Sequence, residues 1–245
     1  MTFVLALTGL SAFALLAQAP PIAGGANLSE RIACAPMTLP AAPVAGIRVL
    51  GGYVESQRMF GPADPLIINA GSQQGIQAGQ RYYVRRHLQD RFSAASTLLH
   101  SVHTAGWVTI VDVKDTLAVA TVTKACDGIQ EGDYLEPYTD PVVPSAALPG
   151  APDFAHPGVL IMADERRQMG YPGLVMIVNR GSDHDVRAGQ GLTIYRETLG
   201  GGGPLLSLGT ATVLSVRPQT SLIRIDGARD AIFLGDLVAI HRITQ

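Results

Sequence analysis

Histidine is the side chain best placed to move protons or bind metals near neutral pH. The chain has six: His87, His100, His103, His156, His184 and His241. A metal site needs three or four ligands converging on one point. The sequence offers only pairs, His100 with His103 in one stretch, and His184 between Asp183 and Asp185. These read as solvated loop residues, and neither a metal nor another cofactor is expected. Ser72 and Ser182 recur in a repeated turn, where a hydroxyl commonly bonds the local backbone. A nucleophilic serine also needs a base and an orienting acid. His184 follows Ser182, but nothing comparable follows Ser72. Neither Gly-x-Ser-x-Gly nor His-Glu-x-x-His occurs. Asp112 with Asp115, and Asp226 with Asp230, flank turns. A glycosidase could draw its two acids from distant segments, yet nothing here favours that chemistry. No enzyme is expected.

A contact surface is the better candidate. Strand alternation puts Tyr82, Val84 and Arg86 on one face of a strand, and Tyr83 and Arg85 on the other. The corresponding residues further along are Leu192, Ile194 and Arg196 on the first face, and Thr193 and Tyr195 on the second. With Trp107 beginning the next strand, Tyr83, Arg85, Trp107 and Tyr195 are expected to form an exposed aromatic–arginine surface. Such surfaces suit protein or sugar contacts. The plainer alternative is core packing for Trp107 and a solvent-facing Tyr83.

The elements that would carry this surface occur twice. Leu66–Arg86 matches Met176–Arg196 without a gap: Asn69, Gly71, Ser72, Ala78, Gly79, Gln80 and Arg86 return as Asn179, Gly181, Ser182, Ala188, Gly189, Gln190 and Arg196. Gly106–Val113 then matches Gly209–Val216, and Ile129–Asp133 matches Ile232–Asp236. The first copy carries extra residues between Arg86 and Gly106. Agreement in identity, order and apolar pattern marks a true internal repeat.

Strands are expected at Arg48–Val54, Pro65–Asn69, Gln80–Arg86, Ala105–Val113, Leu117–Lys124 and Asp133–Tyr138. The second set is Val159–Ala163, Leu174–Asn179, Gly191–Arg196, Leu208–Val216, Ser221–Asp226 and Leu237–Arg242. The fold class is therefore all-β, two tandem copies of a small six-stranded barrel-like or sandwich domain. The rival arrangement has both copies closing one sheet system. In the repeated turn, Gly75 is replaced by Asp185, a side chain that tolerates the left-handed region.

The expected divisions are a signal peptide at 1–19, an N-terminal extension at 20–45, one β-domain at 46–138, an exposed proline-rich linker at 139–157 and a second β-domain at 158–245. Leu88–His103 and the Gly200–Pro204 tip insert at the same point of the two copies. Loops that vary on a common scaffold are where binding usually resides.

Phe3–Ala17 is a nearly unbroken apolar run ending at Ala17-Gln18-Ala19, a pattern suited to a cleaved export signal. A retained N-terminal anchor is the alternative. Export to the periplasm or beyond is expected. In an oxidising compartment Cys34 and Cys126 read as one disulfide; the alternative is two unpaired buried thiols. With 47% hydrophobic and 16% charged residues, the chain is able to fill a core. A net charge of −2 gives no electrostatic case for nucleic acid, and no stable membrane span is expected after signal removal.

The succession strand, Asn-x-Gly-Ser, Ile/Val-x-Ala-Gly-Gln, strand ending in Arg, then a Gly-Asp turn, resembles the C-terminal β-domain of flagellar assembly protein T. It is also similar to domains of exported proteins that carry LysM modules. The resemblance covers Val49–Tyr138 and Val159–Arg242, while the LysM module and the other flagellar domains are absent from this sequence. It implies a non-catalytic binding or assembly role outside the cytoplasm. The expected partner is an envelope protein, or alternatively a cell-wall glycan. A third reading is an exported hydrolase with its site between the two copies.

Overall fold

The computed structural model of the protein describes residues 28–44, 46–88, 100–144, 148–163, 167–199 and 203–242. The expected signal at 1–19 lies outside them, as do most of the Leu88–His103 insertion and the glycines at 200–202.

The fold is mostly β. Short helix α1 (Leu28–Cys34) leads into strand β1 (Met37–Leu39). Then come β2 (Val49–Gly51), β3 (Met59–Phe60), β4 (Pro65–Ile68), β5 (Arg81–Leu88), β6 (His100–Val113), β7 (Ala118–Ala125), β8 (Ile129–Gln130) and β9 (Tyr134–Pro137). The second half holds β10 (Ala151–Ala163), β11 (Met169–Gly170), β12 (Val175–Val178), β13 (Gly191–Glu197), β14 (Leu205–Val216), β15 (Ser221–Ala228), β16 (Ile232–Phe233) and β17 (Leu237–Arg242).

In the first sheet the strand order is β2-β4-β7-β6-β5-β9, with β1 added to β6. A bridge between Arg48 and Tyr134, with Leu135 N donating to Ile47 O at 2.9 Å, brings the two ends of this order together. The second sheet is a closed barrel of order β10-β12-β15-β14-β13-β17. Small sheets β3–β8 and β11–β16 stand beside them. Closure leaves few unpaired strand edges, which is how small all-β units avoid edge-to-edge association.

Alternation explains the two interiors. From β5, Tyr82 and Val84 join Leu66, Ile68 and Ile110 in one core. From β13, Leu192 and Ile194 join Met176, Ile223 and Val238 in the other. Fully buried side chains such as Leu66, Ile110 and Leu192 each contribute roughly 1.5–3 kcal/mol by leaving water.

The repeated turns are structural devices. Gly71 and Gly181 each open a single 3-10 turn, Ser72–Gln74 and Ser182–His184. Their backbones are extended, so positive φ is not what they need; a Cβ there would collide with the carbonyl of Lys114 or of Arg217. Gly75 and Asp185 close these turns in the left-handed region, at φ 79° and 58°.

Two expectations are corrected. The segment 139–157 is not an exposed linker throughout, because β10 begins at Ala151 and pairs Ala151, Pro152 and Asp153 with Arg242, His241 and Ile240. A register shift between Asp153 and Gly158 lets the strand carry Pro157 without breaking the pairing around it. His100 and His103 are strand residues, not loop residues: β6 runs past Ala105 to His100 because it pairs with both β5 and β1. Among the described residues, no helix is long and apolar enough to cross a membrane.

Candidate functional site

The N-terminal extension determines what the two sheets do to each other. On α1, Leu28 and Ile32 lie one turn apart and Ala35 follows, giving one apolar face. That face packs on Ile161, Val175, Ile177, Leu214 and Leu222, which are outer residues of the closed barrel. The opposite side presents Ala33 and Cys34 to Tyr83, Trp107, Tyr138 and Cys126 of the first sheet. Cys34 and Cys126 form a disulfide with Cα atoms 5.5 Å apart. Glu30 pairs with Lys124 of the first sheet, and Arg31 donates to Gly173 O of the second unit. Further on, Thr38 Oγ1 meets Thr220 Oγ1 at 2.8 Å. Residues 28–39 thus form a wedge bonded to both units.

This wedge covers most of the surface expected to be exposed. Tyr83 is 6% exposed, Arg85 7%, Trp107 9% and Tyr195 2%. Tyr83 and Trp107 do meet, edge to face at 6.4 Å, and Tyr138 completes the cluster at 4.5 Å from Tyr83. Tyr195 lies in the other unit, beneath Phe154, with ring centroids 5.0 Å apart. The alternation places Tyr83 and Arg85 on the outer face of β5, as expected. The extension and the linker then bury that face, so these four residues are packing elements and not an open contact surface.

Beside the wedge, a cleft of about 650 Å³ opens between the two units. Its apolar wall includes Ile32, Met37, Ile177, Val186, Leu214 and Leu222. Its cations are Arg85, Arg187 and Arg217, and its one carboxylate, Asp140, is paired with Arg81 at 3.3 Å. The Arg85 guanidinium lies 4.2 Å from the centre of the Tyr83 ring, its Nη1 donates to Thr104 Oγ1, and its Nε sits 3.3 Å from Glu136. That last contact is an ion pair outside hydrogen-bonding geometry, leaving Nε without an acceptor. Burial lowers the Arg85 pKa, opposed by Glu136, while nearby Arg217 lowers it further. Tyr134, whose Oη also lacks a hydrogen-bond partner, is pushed up to about 12, first by burial and then by the Glu136 carboxylate.

The histidines stay apart from this cleft. His87 Nε2 and His100 Nδ1 approach to 3.1 Å across the β5–β6 hairpin, and His103 Nε2 meets Ser101 Oγ at 3.1 Å. His184 closes its own turn, accepting from Gly181 N at 3.3 Å, and His241 meets Thr193 Oγ1 at 2.9 Å. His156 pairs with Asp153. Ser72 and Ser182 serve the turns, their amides donating to Lys114 O and Arg217 O at 2.9 Å. Among the described residues, no three His, Cys, Asp or Glu side chains gather as a metal site would require.

Sequence reasoning missed the cleft because Arg187 and Arg217 stand in turns of the second unit and Arg85 on a strand of the first. Only the wedge brings them to one place. The available signal was the Leu28, Ile32, Ala35 spacing around the disulfide-forming Cys34. Comparison with protein-family models finds no match, and comparison with curated proteins finds no significant relative.

Proposed function

We propose that this protein is an exported, non-catalytic interaction or assembly module of the bacterial cell envelope, made of two tandem copies of one six-stranded β-unit. The observation that carries this reading is the wedge of residues 28–39, stapled by Cys34–Cys126 and bonded to both units. A disulfide closing 92 residues suits an oxidising compartment, and the apolar run Phe3–Ala17 suits export. The tandem-copy reading draws support from the strand orders. β2-β4-β7-β6-β5-β9 and β10-β12-β15-β14-β13-β17 correspond element by element. Locking two units into fixed register is useful to a module that presents a composite surface, and it adds nothing to chemistry within one unit.

A hydrolase site between the units would call for histidine and carboxylate converging at the seam. The cleft lining brings arginines there instead. For the cell-wall alternative, burial of Tyr83, Arg85 and Trp107 removes the surface it required. In-cell cross-linking followed by purification from fractionated envelope tests the proposal. Recovery of a defined envelope protein supports it, whereas recovery of wall fragments alone, or of no envelope component, overturns it.

A further inference from the structure

Arg85 is the least expected residue in the cleft. It is 93% removed from solvent by its 7% exposure, and among the described residues nothing accepts a hydrogen bond from its Nη2. Burying a guanidinium is costly unless its charge and donors are matched. Glu136 matches it in part, through an ion pair to Nε with no hydrogen bond. Two further guanidinium groups share the lining. Among the described residues the Arg217 guanidinium donates only to the thioether of Met37, at 3.0 Å, and a thioether is a weak acceptor. The Arg187 side chain has no acceptor among the described residues. Both sit on the exposed rim of the cleft. Three cations therefore face one space whose single carboxylate is already held by Arg81, in a chain whose net charge is −2. Charge is segregated into the cleft against the balance of the molecule.

The opposite wall is apolar: Ile177, Leu214 and Leu222 from the barrel, with Ile32 and Met37 from the wedge. A concave space of about 650 Å³ lined mostly by apolar side chains, with a few converging polar groups, has the make-up of a small-molecule site. Arginine forks match the paired oxygens of carboxylate and phosphate.

We propose that the inter-unit cleft binds an amphiphilic anion, a carboxylate or phosphate group carried on an apolar chain. The head group sits among Arg85, Arg187 and Arg217, and the chain lies along the less buried apolar lining of Ile32, Val142 and Val216. The inference rests on the cleft alone and stands whether or not the protein is an envelope module.

The full chain provides its own reporter, since its one tryptophan, Trp107, packs against Tyr83 of the cleft lining. Octanoate, octyl phosphate, inorganic phosphate and octyltrimethylammonium are titrated separately, following Trp107 fluorescence and heat of binding, below their micelle concentrations. Saturable binding of octanoate or octyl phosphate is expected, weakened at least about tenfold in the Arg187→Glu/Arg217→Glu double variant. The tighter of the two names the head group. Both substitutions are on the rim, and an unchanged circular dichroism spectrum checks that the variant is folded. Any of four results overturns the proposal: neither octyl anion binds, inorganic phosphate binds as tightly as both, the ammonium probe matches the wild-type anion titration, or the double variant does.

Discussion

Arg86 grips Asp133 with two prongs, Nε to Oδ1 at 2.8 Å and Nη2 to Oδ2 at 2.7 Å. Arg196 holds Asp236 in the same way, at 2.7 and 2.8 Å. In each case the arginine stands one or two residues before the end of its strand and the aspartate follows the glycine of the last tight turn. The aspartate also accepts from a turn amide, that of Gln130 or of Phe233. The pair therefore fastens the final turn to the strand that precedes the variable hairpin, and its hydrogen bond raises the arginine pKa in both units.

Asp133 is 4% exposed, so replacing it leaves a mostly buried guanidinium held, among the described residues, only by Gly128 O and the exposed Asp127. Asp133→Asn is expected to destabilise the protein by about 3 kcal/mol, in the range for breaking one side of a buried ion pair. Asp236→Asn should cost less, because the Arg196 side chain is 40% exposed against 16% for Arg86. Urea unfolding of the two variants measures the difference, and equal midpoints would refute the ranking.

Both halves of this pair stood in the sequence as repeated motifs, yet their pairing did not. A strand-ending Arg and a Gly-Asp turn are local patterns, whereas their contact spans 47 residues in the first unit and 40 in the second. The strands themselves were legible because one face of each is apolar, and alternation exposes that face. For the same reason Tyr82 and Tyr83 were assigned to opposite faces of β5 correctly. What covers a second face is a long-range matter, and the covering element here is α1, only seven residues long. So Tyr83 and Arg85, expected at the surface, are the floor beneath the wedge, and Trp107 packs there as the plainer alternative has it. Asp185 shows the reverse: its left-handed backbone followed from side-chain chemistry alone.

The wedge is held to the first unit by Cys34–Cys126, by the pairing of β1 with β6 and by the Glu30–Lys124 pair. Closing a loop of this length stabilises a fold by roughly 4 kcal/mol in the chain-entropy account. The Cys34→Ser/Cys126→Ser variant should lose about that much. Limited proteolysis should then cut within residues 28–36, ahead of paired strand β1, before either β-unit. Simultaneous cleavage throughout the chain would show that the wedge is not a separable latch.

Tyr134 makes an alkaline prediction. An unfolded tyrosine ionises near 10.0, while in the fold Tyr134 is pushed up to about 12. Between those values the unfolded chain binds fewer protons, so its contribution is intact below pH 10 and is lost as pH rises through the window. Tyr134→Phe should flatten the fall in stability there by roughly 2–3 kcal/mol. Near pH 7 it should change stability by only about 1 kcal/mol, because the buried ring stays and only the hydroxyl and its contact with Glu136 are removed. Denaturation midpoints across the window decide, and parallel curves for the variant and wild type would count against it.

The two glycines of the first repeated turn should resist substitution for different reasons and to different degrees. Gly71 has an extended backbone and no room: an added Cβ meets the Lys114 carbonyl and the backbone of Asp115. Backbone atoms of the β6–β7 turn cannot step aside as a flexible side chain can. Gly71→Ala should therefore cost about 3 kcal/mol or more, as severe overpacking does. Gly75 has room and an awkward backbone, with nothing within 4 Å of the added Cβ and φ at 79°. Gly75→Ala should cost about 1 kcal/mol, the penalty for placing an L side chain in that region. Gly75→Asp should cost less than Gly75→Ala, because Asp185 already occupies the matching position at φ 58°. Thermal unfolding of the three variants gives the order directly. If Asp proved worse than Ala at position 75, local charge would outweigh backbone preference, and the equivalence of the two turns would fail at this residue.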